Sequence, residues 1–150
     1  MFSTTIAILR NVTRALLASN SAGQLATGFT IGMIIGLVPK GNLIALSLCV
    51  LLFSIRCNKG LGLVAAVLFS FAGMWTEPFA HRLGLAALGL KPLQTMYAGV
   101  LNLPLGPWLG FNNTVVTGSL LMGLYLAYPA YWITRQLFSA AQASRVEAAP

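Results

Sequence analysis

The sequence predicts an all-α integral membrane protein, and three observations carry that expectation. The chain has 150 residues, 57% of them hydrophobic and only 7% charged, with a mean hydropathy of +0.82. Soluble domains carry roughly 25% charged residues, so this chain cannot cover a water-facing surface of ordinary size. Apolar residues also run in stretches of helical length, at 25–38, 43–55, 61–75 and 115–133. Finally, the bases sit at the edges of these stretches, as a positive-inside membrane protein requires. The net charge of +7 reflects scarce acids, since Glu77 and Glu147 are the two carboxylate side chains. The bases are scattered rather than clustered, which sets nucleic-acid binding aside.

Residues 1–20 predict an interfacial amphipathic helix. Phe2, Ile6, Leu9, Thr13, Leu16 and Leu17 fall near helical spacing, while Arg10 and Arg14 share another face and reach for anionic lipid. An Arg-containing transit peptide has the same pattern. Because the whole chain is poor in acids, that likeness discriminates little, and a retained interfacial helix is expected.

Residues 22–58 predict a Gly-rich helical hairpin broken at Pro39-Lys40-Gly41-Asn42. Each half offers about 14 apolar residues where a span needs about 20, so the hairpin either re-enters the membrane or makes two short spans. Pro39 ends the first helix and Asn42 caps the second. Gly28, Gly32 and Gly36 share one face of the first half, a doubled GxxxG that lets another backbone approach closely. The partner expected from the short connection is the returning helix at 43–55; an oligomer or partner interface is the functional alternative.

A membrane helix at 60–76 follows. Residues 77–110 then predict an interfacial or re-entrant segment, because "HRLGLAALGLKPLQTMYAGVLNLPLGPWLG" is apolar yet broken by three prolines and five glycines. Pro78 reads as a helix start, with Glu77 favoured by the dipole. A second membrane helix is expected at 111–135, the longest apolar run, and a flexible tail at 136–150. Arg10, Arg14, Arg56, Lys59, Arg135 and Arg145 then share one side, which predicts a multi-pass inner-membrane protein with both termini cytoplasmic. Trp75, Trp108, Tyr128, Tyr131 and Trp132 fall near segment ends as interfacial anchors.

Chemistry-bearing residues are few. Cys49 and Cys57 form no CxxC and have no His-rich partner set, so no metal or redox cofactor is expected. Glu77 and His81 stand four apart and could relay a proton, but no second acid or activated nucleophile accompanies them. An enzyme is not expected. Lys40 instead reads as an anion site. It stands beside Gly41 and the capping Asn42, where the free N–H groups of the second helix would add positive potential. A lysine that snorkels to the far interface is the bland alternative. Asn112 and Asn113 precede the last long segment in the same way, with capping as the main expected role and headgroup contact a second.

The stretches "QLATGFTIGMIIGLVPKGNLIALSLCVLLFSIRCNKGLG" and "FNNTVVTGSLLMG" resemble a family of small bacterial membrane proteins related to a larger domain-of-unknown-function group. The likeness spans roughly residues 20–135. It consists of a Gly-rich helix, a Pro-x-Gly turn at Pro39 and Gly41, a second apolar helix, and Arg-x-Asn at Arg56 and Asn58. Such proteins are often encoded beside a large envelope protein of the AsmA class, which is associated with moving lipid between membranes. The resemblance implies a location and a partner, and supplies no catalytic residue. Two functions follow as expectations. One is a subunit that docks the large partner and takes part in phospholipid transfer. The other is a transporter-like homo-oligomer binding an anionic solute at the Pro39–Asn42 break. For either, the anion- or headgroup-binding candidates are Lys40, Gly41, Asn42, Arg56, Asn58, Asn112 and Asn113.

Overall fold

The computed structural model describes residues 20–147, with side chains through residue 144. The interfacial helix expected before residue 20, with Arg10 and Arg14, lies outside the described residues, as do the last three of the tail. Among the described residues the regular elements are helices: α1 Ala22–Leu37, α2 Leu43–Ser54, α3 Lys59–Leu88, α4 Lys91–Leu101, α5 Gly106–Leu109 and α6 Thr114–Glu147.

Local chemistry sets the ends of α1. Ser21 and Gln24 form a reciprocal capping box, with the Gln24 N–H donating to Ser21 Oγ at 3.3 Å and the Ser21 N–H to Gln24 Oε1 at 3.0 Å. At the other end Val38 precedes Pro39 and is driven to extended backbone, φ −74°, ψ 129°. Gly41 takes φ +90°, which L side chains rarely adopt, and lets the chain turn into α2. Asn42 Oδ1 then accepts from the Ala45 N–H at 2.9 Å.

Three helices make the core. α1 packs most extensively against α3 and also against α6, and α3 packs on α6; α2 and α4 lie at the margin. Small residues fix these contacts. Gly28, Gly32 and Gly36 lie in turn against Asn58, Gly62 and the Ala66–Phe69 turn, so α1 and α3 run parallel. A Cβ on Gly32 would overlap the Gly62 carbonyl, and one on Gly36 would lie 2.8 Å from Ala66 O. The α3–α6 contact repeats the device in antiparallel sense. Ala80 meets Gly118 and Gly84 meets Thr114, with no room for a Cβ on either glycine. Small residues at such seams let two helix backbones approach closely enough to pack through van der Waals contact.

This arrangement corrects the partner expected for the glycine face. Gly28, Gly32 and Gly36 are covered by α3, not by the returning helix. The reason is length and position: α2 has only 12 residues and reaches the seam from outside, where Leu52 meets Gly62.

Three boundaries also differ from expectation. α3 runs unbroken from Lys59 to Leu88, so neither the helix end at 76 nor the start at Pro78 occurs. Pro78 leaves one carbonyl of the preceding turn without its helical donor, yet the helix continues past it to Leu88, and Ala80 and Gly84 just beyond pack closely on α6. The 77–110 segment therefore divides into the last three turns of α3, the short helices α4 and α5, and their connections. α6 begins at Thr114 and continues to Glu147, past Pro129, so the expected tail is helical to residue 147. Gln142 Nε2 donates to Asn20 O at 2.9 Å and ties that extension back to the start of α1.

α3 is the one helix among the described residues long and apolar enough to cross a membrane, and 11% of its most apolar stretch is buried. At 1.5 Å per residue its 30 residues reach about 45 Å. The 115–133 run is longer in sequence, but Thr117, Ser119 and the tyrosines at 125, 128 and 131 dilute it.

Candidate functional site

The candidate site residues fall at the two ends of the core. At the chain-entry end stands Asn58, 6% exposed. Its Oδ1 accepts from the Leu61 N–H at 2.7 Å and caps α3, while its own N–H donates to Gln24 O at 3.0 Å. Its carbonyl also accepts from Gly62 and faces Gly28. Asn58 thus pins the start of α3 to the start of α1. Arg56 beside it is exposed, and neither Arg56 nor Asn58 comes near the other site candidates. Cys57 donates to Leu52 O at 3.4 Å, and burial pushes its pKa up against the opposing pull of Lys59. A thiol held protonated in this way is a poor nucleophile.

At the opposite end the turn between α1 and α2 meets the loop before α6. Pro39, Lys40, Gly41 and Asn42 line a cleft of about 380 Å³ together with Trp108, Asn112 and Asn113. Five of the seven candidates, Lys40, Gly41, Asn42, Asn112 and Asn113, are therefore brought together from positions 70 residues apart.

Their hydrogen bonds separate structural from available groups. Lys40 does not face the N–H groups of the following helix, as the sequence reading had it. Its Nζ reaches back over the end of α1 and donates to Ile35 O at 2.7 Å, Val38 O at 2.8 Å and Gly36 O at 3.1 Å. A cation at a helix C-terminus meets the negative end of the dipole and the last unpaired carbonyls. The four-carbon stem makes this reach easy, and the three carbonyls satisfy the ammonium's donors while its charge stays uncancelled. Asn42 is occupied likewise, capping α2 and donating to Pro39 O at 2.7 Å. Asn113 Oδ1 accepts from the Val115 N–H at 2.9 Å and the Val116 N–H at 3.3 Å, capping α6. Asn112 is exposed, lines the cleft and makes no side-chain hydrogen bond among the described residues.

A second recess, about 280 Å³, opens on the other side of Pro39 and Lys40, toward α3 and α6. Glu77, Ser70, Met74 and Ser119 line it. Next to Glu77 on α3, His81 Nδ1 bonds Thr114 Oγ1 at 2.6 Å, joining α3 to the first turn of α6. The i,i+4 Glu77–His81 spacing survives, but His81 is turned to α6. No group of three or more metal-ligating side chains occurs among the described residues.

Sequence reasoning missed the α3–α6 seam and the Glu77 recess. Ala80-x-x-x-Gly84 and Thr114-x-x-x-Gly118 are small-residue pairs at helical spacing, a signal available in the sequence. Reading Pro78 as a helix boundary hid the first.

A family model described as "Uncharacterized protein conserved in bacteria (DUF2062)" matches residues 7–147. An "Uncharacterized protein" of Treponema pallidum (strain Nichols) is 32% identical over 130 residues, covering 87% of this chain and 80% of that protein. No solved structure matches the chain.

Proposed function

The chain belongs to the DUF2062 family of bacterial proteins, and we propose that it is a non-enzymatic, multi-pass inner-membrane subunit with both termini cytoplasmic. In this reading it docks a larger envelope protein of AsmA-like type and takes part in phospholipid transfer between membranes. The observation that carries the reading is the meeting of the Pro39–Asn42 turn with Trp108 and Asn112 at one end of an apolar bundle.

Depth supports it. Taking Lys59 at one boundary, the roughly 20 residues that cross a bilayer core end near Phe79 on α3. On that placement the turn, the cleft and Glu77 fall near headgroup level. The flanks below are apolar, with Val50 and Phe53 on α2 and Val67, Leu68 and Phe71 on α3 all more than half exposed. Soluble monomers rarely leave contiguous apolar surface of this kind uncovered. Arg56, Lys59 and Arg135 stand at the end that carries Asn20 and Gln142, consistent with a cytoplasmic face. The hairpin is then two short spans, about 24 Å and 18 Å long at helical rise, in a locally thinned bilayer.

The alternative is a transporter-like homo-oligomer binding an anionic solute at the Pro39–Asn42 break; its subunits would meet elsewhere than the Gly28–Gly36 face, which α3 occupies. Purification in mild detergent separates the two. Co-purification of a large AsmA-like chain, identified by mass spectrometry, supports docking; a lone homo-oligomer overturns it. Labelling of a cysteine at position 145 from the periplasm of intact cells would overturn the orientation.

A further inference from the structure

The recess lined by Lys40 and Glu77 has features that the headgroup reading does not use. Glu77 is the chain's one acidic side chain apart from Glu147. It shares the recess with the Lys40 ammonium, and no ion pair joins them among the described residues. His81, four residues on, bonds Thr114 and makes no ion pair with Glu77 either. The Ser119 side chain is 3% exposed, lines the same recess and makes no hydrogen bond to protein among the described residues. Ser70, by contrast, is bonded to Ala66 O at 2.7 Å.

Opposite charges and a hydroxyl at the edge of a low-dielectric region lower their energy by finding partners. Here the Lys40 ammonium is fixed by three neutral carbonyls, which hold it in place without cancelling its charge. The recess that the two residues line holds about 280 Å³, just below the usual range for small-ligand sites. That volume suits a headgroup-sized molecule with charge at both ends.

We propose that this recess binds a zwitterion that carries a primary ammonium and a phosphate, as in phosphoethanolamine. The ammonium donates to the Glu77 carboxylate, the phosphate lies toward Lys40, and the Ser119 hydroxyl donates to a ligand oxygen. The ligand arrives either as the headgroup of phosphatidylethanolamine, with acyl chains along the apolar flank near Met74, or as the free soluble zwitterion. The lipid source rests on the membrane reading above.

The test uses the full chain purified in detergent, with lipid retained through native mass spectrometry as the readout. Phosphatidylethanolamine and phosphatidylglycerol of matched acyl chains are the probes, with free phosphoethanolamine as competitor. Phosphatidylethanolamine is expected to be retained about tenfold better, the worth of one charge-assisted hydrogen bond. Glu77→Gln should abolish the preference for phosphatidylethanolamine, lowering its retention and raising that of phosphatidylglycerol as the repelling carboxylate is removed, and leave thermal unfolding unchanged because Glu77 is exposed. Ser119→Ala should act in the same direction, more weakly. Displacement by millimolar free phosphoethanolamine identifies the soluble zwitterion as sufficient; displacement only by the intact lipid assigns the acyl chains a share. Equal retention of both lipids, unaffected by Glu77→Gln, overturns the zwitterion site while leaving a general headgroup site standing. A wild-type protein that retains neither lipid overturns both, and co-purification of the large partner is read separately.

Discussion

At the chain-entry end, Asn58 is nearly inaccessible and three of its polar atoms are bonded, two opening α3 and one, its N–H on Gln24 O, tying α3 to α1. At the turn end, Asn42 and Asn113 cap helices in the same manner, but Asn112, Glu77 and Ser119 make no hydrogen bond or ion pair to protein among the described residues. Residue type does not separate the two ends; occupancy of the polar atoms does. An asparagine whose oxygen already accepts a helix-opening N–H has little left for a ligand. One that lines a cleft with its amide unpaired retains its full capacity. Function is therefore sought at the turn end, and within it among the unoccupied groups.

The strongest way to break this comparison is to attack the seams that position both ends. Gly32→Leu and Gly84→Leu each drive a side chain into a facing backbone carbonyl. Overpacking of side chains costs about 1–3 kcal/mol, and backbone has less freedom to move aside. Folded protein recovered from membranes, measured by size-exclusion chromatography in detergent, should fall to near background. Gly99→Leu, on α4 with open space around it, should be recovered like wild type. Equal recovery of all three would mean the seams are not close-packed.

Next in size is the Asn58 clamp. Asn58→Ala removes the cap on α3 and leaves the Leu61 N–H without its acceptor, an expected loss of about 1–3 kcal/mol. Asn113→Ala should cost about 1 kcal/mol, because its two bonds sit at a more exposed helix end. Chemical denaturation in detergent ranks them. A larger loss at Asn113 would invert the assignment of the two ends.

How far the sequence reached follows from these same residues. The all-helical class and the capping roles of Asn42 and Asn113 were legible, since caps and apolar runs are local signals; Asn112, expected to cap as well, does not. The glycine stripe was legible as a contact surface but not as a contact with α3. Choosing between a near helix and a parallel one across an intervening return is a tertiary matter. Pro78 misled because its local preference for a helix start is outweighed where Ala80 and Gly84, just beyond it, pack on α6. Lys40 misled for a geometric reason. Its sequence neighbours suggested the following helix, whereas its side chain is long enough to fold back over the preceding one.

That fold-back gives a graded test. Lys40→Gln keeps some donor capacity but loses the charge, and is expected to cost about 1 kcal/mol of thermal stability. Lys40→Glu sets a negative charge against the carbonyls of Ile35, Gly36 and Val38 and should cost more. Lys40→Arg retains charge and donors and should be close to wild type. If Glu were tolerated as well as Gln, the lysine would not be acting on the α1 dipole.

The smallest stability effect is expected at Asn112, and it sharpens the comparison most. Its side chain is exposed and unpaired among the described residues, so Asn112→Ala removes no protein contact and should shift stability by no more than about 0.5 kcal/mol. If the cleft beside Gly41 and Trp108 receives headgroups, the same change removes a donor and an acceptor from the ligand's side. Retained phospholipid should then fall for phosphatidylethanolamine and phosphatidylglycerol alike, because an amide does not distinguish a zwitterion from an anion as the Glu77 carboxylate does. Asn113→Ala supplies the contrast, with stability lost and lipid retention per folded molecule kept. A drop in lipid at Asn113 without one at Asn112 would show that cap occupancy is the wrong criterion for telling structural from binding asparagines at this end of the bundle.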